Sequence, residues 1–146
     1  MRSLALIFLL LSQATPQVPS TISDAAAALA AAEAKWQAKK PAVYEFTVEV
    51  NCFCQLEKTP PAFRVTNGVP KRVVEIDPKV AGRYEYYDTI DELFAIVKRY
   101  ASRGAVKVNV QYDAEYGYPI SADLDQATNM LDDELRFRIS GFKAVK

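Results

Sequence analysis

The sequence predicts an α+β domain: a single twisted antiparallel sheet of about five or six strands with two helices packed on one face. Three observations carry this. Two stretches, Ser23–Lys39 and Thr89–Tyr100, place apolar residues at helical spacing. Runs beginning at Tyr44, Val106 and Leu135 alternate apolar and polar residues with a period of two. Asn67-Gly68 lies between two short apolar runs, where a tight hairpin turn needs positive φ twice.

In chain order, Arg2 is followed by the uninterrupted apolar run Leu4–Leu11 and by Ser12-Gln13-Ala14. A basic start, a short apolar core and a small-x-small exit read as a secretory signal peptide over residues 1–14. The run is too short for a permanent span, which needs ~20 residues. Residues 15–21, with Pro16 and Pro19, read as an extended tether, and residues 22–146 as one domain. The first helix follows from an alanine-rich segment, with Ile22, Ala25, Leu29, Ala32 and Trp36 on one face and Pro41 as its stop. Tyr44, Phe46, Val48 and Val50 then alternate with Glu45, Thr47, Glu49 and Asn51 as a half-buried strand.

Phe63–Thr66 and Val69–Ile76 form the expected hairpin, and Asp77–Asp88 a tyrosine-rich connection. Thr89 with Glu92 three residues on makes a capping box for the second helix, which Gly104 can end. Val106–Tyr112, Tyr118–Leu124 and Leu135–Val145 are the last strands. Helix-then-strands occurs twice, and short matches (Ala42-Val43 with Ala105-Val106, Gly68-Val69-Pro70 with Gly117-Tyr118-Pro119) fit a diverged α-β-β duplication.

Composition narrows the function classes. Lys+Arg and Asp+Glu each number 18, so there is no basic excess of the kind a nucleic-acid binder carries. The chain has no His, which removes the commonest general base and metal ligand and, with them, triads of the Ser-His or Cys-His type. After removal of the signal no stretch is apolar enough for a membrane, and the expected address is periplasmic or secreted.

A set of local motifs resembles a family. Tyr44-x-Phe46, Cys52-x-Cys54, Asn67-Gly68, Thr89-Ile90-Asp91-Glu92-Leu93-Phe94, Tyr112-Asp113-x-x-Tyr116-Gly117-Tyr118-Pro119 and Asp132-Asp133-Glu134 are similar to those of small secreted or lipid-anchored bacterial domains of unknown function. The resemblance covers residues 30–146 and implies export and this fold. It implies no activity. The chain departs from the lipid-anchored members in having no Cys at the end of the signal.

Three constellations are candidates for chemistry. Cys52 and Cys54 would meet an oxidising compartment after export, where a disulfide is favoured over thiols or a metal site. Their Cα atoms would lie ~6.6 Å apart in an extended strand, so the bond requires a local bend. Asp123, Asp125, Asp132, Asp133 and Glu134 gather carboxylates in the polar segment 123–134. Calcium is the one cofactor that such a segment admits, although the spacing fits no EF-hand loop. Tyr112, Tyr116 and Tyr118 bracket a turn and, with Asp132, Asp133 and Glu134, are the surface candidates for recognition. The reading that follows is an exported non-catalytic module that binds a protein or peptide partner. The alternative is a small enzyme or calcium-dependent module that uses the acidic segment.

Overall fold

The computed structural model describes residues 22–52, 59–74, 76–129 and 134–146. The signal and tether segments, Cys54, Asp132 and Asp133 lie outside them. Helix α1 (Ile22–Lys39) is built largely from alanine, which loses no side-chain entropy on ordering. Its inward stripe is narrow, consisting of Leu29, Ala32 and the fully enclosed Trp36. The Lys40 amide closes the last turn onto the Trp36 carbonyl, and Pro41 ends the helix.

Strand β1 (Val43–Cys52) buries Tyr44, Phe46 and Val48 and turns Glu45, Thr47 and Glu49 the other way, as period-two alternation requires. Strands β2 (Ala62–Thr66) and β3 (Val69–Arg72) form the expected hairpin, with φ of 49° at Asn67 and 82° at Gly68. β3 is shorter than the sequence predicts. The Val73 amide still reaches the Ala62 carbonyl, but the next residues on the partner side are Pro60 and Pro61. Proline has no amide to donate, so pairing stops and Val73 and Val74 are left exposed.

The connection to the second half contains a short helix where the sequence predicts only a connecting segment. Helix α2 (Pro78–Ala81) is capped by Asp77, whose Oδ1 accepts the Lys79 amide at 2.9 Å, with proline at the first helical position. One 3₁₀ turn (Gly82–Tyr84) follows and buries Tyr84. Helix α3 (Ile90–Ser102) begins as predicted, with Thr89 Oγ1 accepting the Glu92 amide at 3.1 Å. Ile90, Leu93, Phe94, Ile96 and Val97 are its buried face. The Tyr44 hydroxyl accepts the Ile90 amide at 3.2 Å, so an orphan donor at the start of α3 is satisfied from the sheet.

Strands β4 (Lys107–Tyr112), β5 (Pro119–Asp125) and β6 (Leu135–Ala144) complete one six-stranded sheet in the order β3-β2-β1-β6-β5-β4, antiparallel throughout. Helices α1 and α3 pack on the same side of it, and the core lies between them and the sheet. The two Gly-x-Pro matches fall on non-equivalent turns, Gly68 between the second and third strands and Gly117 between the fourth and fifth. They therefore lend no support to a duplication. Among the described residues no helix is long and apolar enough to cross a membrane.

The turn from β4 to β5 is docked rather than free. The Asp113 Oδ1 accepts the amides of Glu115 and Tyr116, and Lys35 Nζ donates to the Ala114 carbonyl at 3.1 Å. Gly117 has φ of 84°, and a Cβ placed there would sit 2.5 Å from the Ala32 carbonyl oxygen. Both the backbone conformation and the space demand glycine. Gly117→Ala is expected to destabilise the fold by about 2–4 kcal/mol, from left-handed strain plus overpacking. Urea unfolding of parent and variant checks this. Equal midpoints would mean that the turn does not press on α1.

Candidate functional site

The two faces of the sheet differ in chemistry. The side under the helices holds the buried aromatic and aliphatic residues of β1, β2, β5 and β6. The other side has no helix over it among the described residues, and the four adjacent strands from β1 to the β4 edge present two cross-strand rows. Glu49, Arg138, Ser121 and Gln111 form one row across β1, β6, β5 and β4. Asn51, Arg136, Asp123 and Asn109 form the next. All eight side chains are polar, and the twist of the sheet curves them around an open depression of about 430 Å³. A smaller recess of about 110 Å³, lined by Asn51, Cys52, Glu134 and Arg136, continues it towards the end of β1.

Charges in this depression are unevenly committed. Asp123 accepts from Lys107 Nζ at 2.5 Å and from Arg136 Nε at 3.2 Å, and Arg136 also reaches Glu134 at 3.5 Å. Partial burial pushes the Asp123 carboxyl up, but the hydrogen bonds from Lys107 and Arg136 outweigh it and hold the group below the usual carboxylate range. Ser121 Oγ donates to Gln111 Oε1 at 3.4 Å, which leaves the Gln111 amide nitrogen pointing its donors elsewhere. Arg138 faces Glu49 across β1 but makes no ion pair or hydrogen bond among the described residues.

The residues singled out from sequence are distributed differently. Tyr112 stacks on Phe94 beneath α3, with ring centres 6.2 Å apart. Tyr116 packs against Phe142 at 5.3 Å, and Tyr118 stacks on the same ring at 4.3 Å and meets Trp36 edge-on. Burial pushes the hydroxyls of Tyr112 and Tyr118 up. These three tyrosines are half-buried on the helix side, behind the sheet from the depression. Of the acidic set, Asp123 and Glu134 converge on Arg136, while Asp125 Oδ1 accepts the Ala127 amide at 3.1 Å as a turn cap. Among the described residues no three acidic or thiol groups are placed to hold a metal ion. Cys52 ends β1 at the rim of the smaller recess.

Glu49, Asn51, Asn109, Gln111, Ser121, Arg136 and Arg138 were not singled out from sequence. Their signal was present as the polar half of each alternating strand. Which strands are neighbours, and therefore which polar residues share a row, comes only from the fold.

A six-stranded antiparallel sheet with helices on one side and a polar concavity on the other defines a single-sheet α+β domain, one face of which carries no helix among the described residues. The chain belongs to the family of unknown function DUF6174, whose match spans residues 28–144. No curated protein and no solved structure matches it.

One carboxylate elsewhere is displaced towards neutrality. Asp88 precedes the cap of α3, near the Tyr44 hydroxyl on the helix side of the sheet. Burial pushes its carboxyl up to about 6, and Glu92 and Glu85 push the same way against Arg72. The folded-state value lies above the ~3.9 of an unfolded chain, so folding favours the protonated acid. The stability from this site is complete below about pH 4 and is lost as pH rises through about 6. Asp88→Asn should therefore be more stable than the parent at about pH 7.5, by about 1 kcal/mol after allowance for solvent screening. The advantage should vanish near pH 4. Urea melts at the two pH values check this, and a pH-independent difference would contradict it.

Proposed function

We propose that this chain is an exported, non-catalytic recognition module, and that the uncovered face of its sheet is the surface that meets a protein or peptide partner. One observation carries the reading: eight polar side chains in two registered rows around a depression of about 430 Å³, on the side of the sheet that no helix covers among the described residues. Strands hold these groups on rigid backbone, which lowers the ordering cost of binding. The depression is polar and shallow, unlike the enclosed, largely apolar sites that take small molecules. Its Arg138, Gln111, Asn51 and Asn109 offer directional donors, and arginine is among the residues that anchor protein interfaces.

Export rests on the segment Met1–Ala14, and a Cys52–Cys54 disulfide at the end of β1 is the state proposed for an oxidising compartment. Mass spectrometry of the exported protein, alkylated without reductant, is expected to show an N-terminus at Thr15 and no alkylated cysteine. An unprocessed Met1 or two modified thiols would overturn this half of the proposal.

For the surface, the mature domain is immobilised and used to capture partners from envelope extract. Arg138→Ala/Gln111→Ala should lose the bound set, while Lys98→Ala/Arg99→Ala on exposed positions of α3 should keep it. Capture unaffected by the first pair of substitutions would place recognition elsewhere.

A further inference from the structure

We propose that two copies of this chain pair edge to edge through β4, as antiparallel strands about a two-fold axis normal to the sheet, so that their sheets run on as one. The two edges of the sheet are built differently. β3 has four residues, and Pro70 within it carries no amide to donate, with Lys71 and Arg72 following. A short strand, a proline and basic side chains keep an edge from recruiting another strand. β4 has six residues and neither proline nor glycine among them. Its one charged side chain, Lys107, is bound to Asp123 of its own sheet. Every second residue of β4 turns its amide and carbonyl away from β5, and no strand meets these groups among the described residues.

The residues of β4 suit a second copy of the same strand. Pairing with β5 is regular from Lys107 to Gln111 and shifts register only at Tyr112. A two-fold axis through Asn109, the middle of that stretch, sets Asn109 against its own equivalent, Val108 against Val110 of the second copy, and Lys107 against Gln111 of the second copy. No like charges face each other, which is the condition a self-pairing strand must meet. The facing asparagine amides can donate and accept reciprocally. On the helix side, Val108 and Tyr112 are half-buried, Val106 just before β4 is 52% exposed, and Ala25 and Ala28 of α1 flank the strand. A second copy covers this apolar rim with an identical one. Ala26, Ala27, Ala30 and Ala31 are exposed on the first half of α1, and their small side chains leave the two α1 helices room on the same side of the joined sheet. Because β3 resists strand addition, the contact closes at two copies and does not propagate into a filament. Both depressions then lie on one face, joined across Asn109 and Gln111.

Analytical ultracentrifugation of the mature chain over about a hundredfold range of concentration tests this. The expected result is a reversible monomer–dimer equilibrium with no larger species. Asn109→Lys sets like charges against each other at the centre of the pairing and should weaken the dimer by about tenfold or more. Asn109→Asp should do the same, and an equimolar mixture of the two variants should recover the dimer as a mixed pair. Asn109 is exposed on an edge strand, so neither change touches the core. Lys71→Glu on β3 should leave the dimer constant within a factor of about two. A parent that stays monomeric would overturn the inference and leave the β4 edge to a strand of another protein. Variants that dimerise as well as the parent, a mixture that fails to recover the pair, or assemblies that grow beyond two copies would overturn it too.

Discussion

Antiparallel pairing of β1 with β6 is the constraint on which the rest of the molecule depends. These are the two longest strands, and they come from opposite ends of the domain, with Val48 opposite Ile139 and Val50 opposite Phe137. Each half of the chain can form a three-stranded meander by local hairpins. Only the β1–β6 seam makes them one sheet. It also places Tyr44 beside Phe142, which stack at 5.8 Å, and brings the β4–β5 turn under α1 by way of Tyr118. Trp36, fully enclosed, meets Tyr44 edge-on at 5.2 Å and closes this aromatic knot. Because the seam joins distant residues, its loop-closure entropy must be met before the contacts return it.

The same seam runs between a face that carries the stability and a face that is polar. A fully buried aromatic is worth about 3–5 kcal/mol against truncation, and Trp36, Phe46 and Phe94 all lie on the helix side. The ion pairs of the open face have side chains 30–53% exposed at Asp123, Lys107, Arg136 and Glu134. Exposed pairs contribute about 0–1 kcal/mol each. Nothing in the energetics of the fold thus requires this charge pattern, while the register of the strands keeps it in a fixed geometry. Period-two alternation lets the outward side chains vary without touching the core.

Much of the fold was legible because local chemistry and tertiary structure agree. Thr89 with Glu92, Asn67-Gly68 and the alternation of Tyr44–Asn51 each specify an element that the fold contains. The end of β3 was not, since it depends on which residue lies across from Val74, and that is set by Pro60 and Pro61 on the neighbouring strand. The tyrosines show the harder problem. Tyr112, Tyr116 and Tyr118 are amphipathic, and sequence offers no means of telling whether a ring serves a partner or a core. Phe142, which receives two of them, is far along the chain. The rows of the open face were hidden for the same reason: Arg138 and Gln111 become neighbours only through Ser121 of the strand between them.

The commitment of Asp123 explains why Arg136 is engaged, while Arg138 in the next row makes no ion pair among the described residues. A carboxylate placed between β4 and β6 satisfies Lys107 on one side and Arg136 on the other, and Glu134 takes a further guanidinium edge of Arg136. An incoming anion at Arg136 would meet two carboxylates already in place, and like charges brought together across an interface cost several kcal/mol. Two residues along β6, Arg138 has a hydroxyl and a carboxamide on the β5 and β4 side instead, and a single carboxylate, Glu49, on the other. The two rows therefore differ: one closes Lys107, Asp123, Arg136 and Glu134 into a charge network, and the other sets Arg138 opposite Glu49 with no ion pair between them among the described residues.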